Sequence, residues 1–75
     1  MTRDEFISEL EFVFNVAGGS LTPETELGSL KAWDSMGMLS IITLMKQVGS
    51  STKVDQLMEA KTIGDLVQLA GEKLD

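Results

Sequence analysis

The chain contains no cysteine and no histidine. The first absence excludes a disulfide and an intrinsic thiol nucleophile, and the two together put the usual zinc sites out of reach. Without histidine, no side chain is a ready proton acceptor near pH 7. A Gly-x-Ser-x-Gly elbow is also missing, so hydrolase chemistry has neither its nucleophile turn nor its base, and a self-sufficient enzyme is not expected. No apolar run approaches the roughly 18 residues that a membrane span requires, and Met1-Thr2-Arg3-Asp4 is not the start of a secretory leader. These absences predict an unprocessed protein of a reducing cytoplasm, with no membrane insertion.

Basic residues are scarce. Six Lys and Arg face twelve Asp and Glu, a net charge of −6, which repels nucleic acid phosphates and anionic membranes and favours basic protein partners. Size, acidity and five methionines suit a calcium sensor, but no stretch has the alternating ligands, central glycine and final glutamate of an EF-hand loop.

Helical periodicity dominates what is present. The 75 residues predict a single domain, 1–75, that must rely on helix packing alone. Thr2 and Glu5 have capping-box spacing, and Phe6, Leu10, Val13, Phe14 and Ala17 then recur on one face, with Gly18 and Gly19 as the stop. Phe12 and Val16 fall off that stripe and should be exposed or lie under a loop. A second helix is predicted from Ser35 to Val48, with Met38, Ile41, Ile42, Leu44, Met45 and Val48 on its core-facing arc. Val54 reads as a buried connector, with Asp55 capping a short helix through Leu57 and Met58. Thr62 and Asp65 form another capping box, opening a last helix whose inward face is Ile63, Leu66, Val67, Ala70 and Leu74.

Between the first two helices lies a long connection, 18–34, without sustained period. A structureless loop of that length is uncommon in a small domain, and Leu27, Leu30 and Trp33 at three-residue intervals read as anchors that tie it down. The chain is thereby immobilised just ahead of Asp34-Ser35. Asp and Ser are preferred N-caps, and capping alone is the bland explanation of the pair. It does not explain why Met36 and Leu39 fall on the solvent side of the second helix, beside a serine that projects from a helix N-terminus suited to phosphate.

The segment LGSLKAWDSMGMLSIITLM resembles the acyl carrier proteins, with their spaced leucines, a tryptophan in many members, then Asp-Ser-Leu and an apolar helix. Met36 stands where the family usually has leucine, a swap of similar volume. The later VDQLMEAKTIGDLVQLA is similar to the family's short third helix and Thr-initiated fourth, so the resemblance spans essentially the whole chain. It implies an all-α four-helix bundle of acyl-carrier type, up and down, with three longer helices, a short third one, and a long loop between helices one and two.

The resemblance further implies a carrier that is not an enzyme but the substrate of a phosphopantetheinyl transferase. Ser35 would receive 4′-phosphopantetheine from coenzyme A, and Asp34 and Met36 would contact that transferase. The arm's thiol would hold acyl or aminoacyl intermediates as thioesters for the acyl-loading and acyl-processing enzymes of fatty acid, polyketide or related biosynthesis. Many fatty acid carriers dock through a markedly acidic second helix; Ser35 to Val48 here contains no Asp or Glu and includes Lys46. Partners are therefore expected to grip Met36, Leu39 and Thr43 by apolar contact, with Asp34, Asp55 and Glu59, and outside them Glu24 and Glu26, as peripheral charge. The neutral helix points toward a specialised free-standing monomer of secondary metabolism, polyketide assembly, or aminoacyl and D-alanyl transfer. The alternative is a small helical interaction module of degenerate carrier fold that is never modified. Should the cargo be a long acyl chain, Met38 and Met45 are candidates to line a cavity, although ordinary core packing is the simpler role for both.

Overall fold

Two hydrogen bonds start the first helix, α1 (Arg3–Phe14), in this computed structural model, which describes residues 1–74 apart from the side chain of Glu72. The Thr2 hydroxyl accepts the Glu5 amide at 3.1 Å, and the Glu5 carboxylate accepts the Thr2 amide at 2.8 Å. Those bonds, the backbone one foremost, hold the Glu5 carboxyl below its ordinary range. Phe6, Leu10 and Phe14 are buried from α1, as the spacing predicts.

The helix ends three residues before the expected stripe does. Asn15 takes the left-handed conformation, at φ 56° and ψ 47°, and its amide bonds back to the carbonyls of Glu11 and Phe12. Asparagine tolerates that geometry, so the stop precedes Gly18 and Gly19 and leaves Ala17 outside the helix and exposed. Phe12 projects into solvent at 83% exposure, and Val16 packs partly against the core.

Glu11 organises the start of the long loop. Only 7% exposed, its carboxylate accepts the amide of Gly19 at 2.7 Å and that of Leu21 at 3.2 Å. The bonds draw the chain back across α1 and bury Leu21. Farther along, Leu27 is fully buried at the head of a 3-10 turn (Leu27–Ser29), while Leu30 and Trp33 are half-buried. Trp33 meets Phe14 edge-on, with ring centroids 6.1 Å apart, an arrangement that aromatic quadrupoles favour. The three anchors hold.

The same loop caps a distant helix. Leu27 donates its amide to Lys61 O at 2.8 Å, and an isolated antiparallel bridge joins Glu26 to Thr62. The amides of Ile63 and Gly64, which open α4 (Ile63–Ala70), donate to Thr25 O at 3.0 Å and Pro23 O at 2.9 Å. A side chain at 64 would press its Cβ to 3.0 Å from the Pro23 carbonyl, so this close approach favours glycine. Two of the amides a helix start leaves unpaired are thus satisfied by the loop. Asp65 completes the cap by accepting the amides of Lys61 and Thr62 at 2.8 and 3.1 Å, bonds that lower its pKa from the ordinary value.

Ile63, Leu66, Val67 and Ala70 are buried along α4, and Leu74 is partly so, as read from the sequence. This helix is shorter than the long element expected: it has eight residues and gives way at Gly71 to a 3-10 turn, Gly71–Lys73. Helix α2 (Ser35–Gln47) buries Ile41, Leu44 and Met45, with Met38, Ile42 and Val48 packed partly against them. Met45 and Met38 serve as core. The helix ends at Gln47, one residue sooner than expected, with Val48 as its C-cap before Gly49 turns the chain at φ 89°.

The short helix α3 (Val54–Glu59) departs from expectation in two respects. Val54 is exposed, not buried, because the one residue the helix turns to the core is Leu57. The cap is Lys53, whose amide is accepted by the Gln56 side chain at 2.8 Å, and Asp55 sits inside the first turn, where its charge favours the helix dipole. The result is a small all-α fold of four helices among the described residues, none long and apolar enough to cross a membrane.

Candidate functional site

Two successive turns bring the loop to α2. Trp33 donates its amide to Leu30 O at 3.1 Å, and Asp34 donates to Ala32 O at 2.9 Å. With Trp33 held against Phe14, Asp34 arrives in extended conformation as the N-cap, and its Oδ1 accepts the Gly37 amide at 2.9 Å. The Asp34 carbonyl accepts the amide of Met38, also at 2.9 Å, which is the first bond of the helix.

Asp34 therefore does all the capping. Ser35 is exposed, and among the described residues its hydroxyl has no hydrogen-bond partner. The amides of Ser35 and Met36 likewise have no acceptor among the described residues. A free hydroxyl thus sits at the positive end of a 13-residue helix, beside two unpaired N–H donors. That donor set suits a phosphodiester, and the hydroxyl supplies the oxygen to attach one.

Down the exposed side of α2, Met36 and Leu39 are 76% and 62% exposed, and Thr43 is exposed on the same stripe. The Thr43 hydroxyl donates to Leu39 O at 3.2 Å and so is already engaged within its own helix. Thr43 also lines an open groove with Phe12 of α1, which the sequence places outside the core stripe without linking it to the site. On α3, Asp55 and Glu59 are exposed as expected, and so are Val54 and Met58. The sequence did not mark those two apolar residues as surface; they share an i, i+4 face beside that of the buried Leu57, which only the fold reveals. Beside Trp33, a second open groove of about 520 Å³ runs between the loop and the α3–α4 connection, walled by Glu26, Gly28, Ala60, Lys61 and Thr62.

Comparison with known protein families, curated proteins and solved structures found no significant match to this chain.

Proposed function

We propose that this protein is a carrier of acyl-carrier-protein type, modified on Ser35 with 4′-phosphopantetheine, which bears acyl or aminoacyl intermediates as thioesters. The observation that carries the reading is the division of labour at the head of α2: Asp34 caps the helix, and the Ser35 hydroxyl is left exposed and unpartnered. A serine present only to cap would occupy the position that Asp34 fills.

In the modification step the Ser35 Oγ bonds to the phosphorus that bears the pantetheine chain of coenzyme A, and the pyrophosphate bridge breaks to release adenosine 3′,5′-bisphosphate. The hydroxyl proton passes to a base on the transferase, since this chain has no histidine to take it. The free amides of Ser35 and Met36 stand where they would hold the phosphodiester that results. Once attached, the arm supplies the thiol that a chain without cysteine lacks. Met36 and Leu39 offer an apolar grip to the transferase and to acyl-loading and acyl-processing enzymes, with Asp34, Asp55 and Glu59 as surrounding charge that raises encounter rates. The helix order, the short third helix and the anchored loop support assigning the fold to the acyl-carrier type.

The test is intact mass after incubation with coenzyme A, magnesium and a broad-specificity phosphopantetheinyl transferase, with Ser35→Ala as control. One phosphopantetheinyl group gained by the wild type alone is the expected result. No gain with two different transferases on folded protein overturns it. The second reading, an unmodified interaction module, draws on the exposed Met36 and Leu39 and would then stand, with Ser35→Ala indistinguishable from wild type in partner binding.

A further inference from the structure

Gly37 occupies the first turn of α2, where glycine weakens a helix relative to alanine. Its φ is not positive, so backbone freedom is not the reason for its presence. Space is: a Cβ at this position would run into the carbonyl oxygen of Ala32 and lie 3.5 Å from Asp34 Oδ1. The Ala32 carbonyl thus lies directly against the bare face of Gly37 while it accepts the Asp34 amide, and Asp34 in turn accepts the amide of Gly37. Gly28 and Gly18, by contrast, have open space where a side chain would go.

The geometry points to Gly37 as a positioning residue for modification of Ser35, an inference that rests on the carrier reading above. The missing side chain lets the Ala32–Asp34 turn close onto the first turn of α2, and that closure sets where the Ser35 hydroxyl and its two neighbouring amides stand. Ala32 and Trp33 are packed against the core, so the turn has no slack inward. A methyl group at 37 pushes the turn outward, pulls Asp34 from its cap, and rotates Ser35 away from the attacking position. Met36 and Leu39, which lie on the outer face, stay available for docking. The effect is therefore on the transfer step and not on encounter.

The experiment compares wild type, Gly37→Ala and Gly28→Ala as transferase substrates, with helix content measured by circular dichroism. For G37A, kcat should fall about ten- to hundredfold, the scale on which misplaced reacting atoms slow a bimolecular step, with KM nearly unchanged. G28A should match wild type. The sole tryptophan, Trp33, sits inside the displaced turn, so the fluorescence maximum of folded G37A should shift while that of G28A does not. Folded G37A with wild-type kcat and emission overturns the inference and leaves the carrier reading intact; an unmodified wild type overturns both. If G37A does not fold, the double variant A32G/G37A carries the same readouts, because a glycine at 32 lets the 32–33 peptide turn away from the methyl and thereby lose the bond to the Asp34 amide that closes the turn. Wild-type kcat in that variant would equally overturn the positioning role.

Discussion

The Oδ1 of Asp34 accepts the Gly37 amide at 2.9 Å, and this bond decides how Ser35 is presented. Of two adjacent residues with nearly equal preference for the N-cap, the acid takes the cap and the alcohol is freed. The two are then separable by mutation. Asp34→Ala should cost about 1 kcal/mol of unfolding free energy, the usual loss of a helix cap, whereas Ser35→Ala should stay within about 0.5 kcal/mol of wild type. Urea melts of the unmodified proteins check this, and a serine variant as destabilised as the aspartate variant would show that the hydroxyl does structural work.

Glu11 should be the costliest polar residue to remove. Its buried carboxylate serves two loop amides, and hydrogen bonds to charged groups contribute about 1.5–3 kcal/mol each to stability. Glu11→Ala is expected to lose at least about that much, with amide exchange of Gly19 and Leu21 accelerated above the rest of the loop. Unchanged exchange at those two amides would mean that the loop is held by Leu21 and Leu27 alone.

Surface apolar residues separate docking from folding. Met36→Asp and Leu39→Asp should each leave the melting temperature near that of wild type, since both side chains are largely in solvent. Each should lower kcat/KM with the transferase about tenfold or more, chiefly through KM, a loss of about 1.4 kcal/mol or more. Phe12→Asp, in the groove that Thr43 shares, tests how far the grip extends from the stripe, and equal losses at all three sites would argue against a localised grip.

Acid should loosen both capped helices. The Glu5 and Asp65 carboxyls have pKa values lowered by the backbone amides they accept, so the unfolded chain takes up their protons first as pH falls. Their contribution is complete above the ordinary carboxylate pKa of about 4 and is lost as pH drops through the lowered folded values. Melting temperature between pH 6 and about 3 should fall less steeply in Asp65→Asn and Glu5→Gln than in wild type. Parallel slopes would place the acid sensitivity elsewhere.

Much of this molecule is local. The Thr2–Glu5 and Thr62–Asp65 boxes, the core arc of α2 and the outward Met36 and Leu39 follow from bonds three residues apart and a rotation of about 100° per residue. The sequence therefore determined three of the four helices, α1, α2 and α4, with their buried faces, and the exposed serine after an anchored tryptophan. The end of α1 departs from the glycine pair because Asn15 itself takes the left-handed stop, and the buried side of α3 is not legible because six residues are too few for periodicity to show it. Tertiary structure alone decided that Glu11 turns inward to hold Gly19 and Leu21, that Pro23 and Thr25 cap α4, and that the Ala32 carbonyl rests on Gly37. In each of these, partners that no helical period links meet where an unpaired polar group or a bare backbone needs one particular neighbour, and only the folded chain brings that neighbour to it.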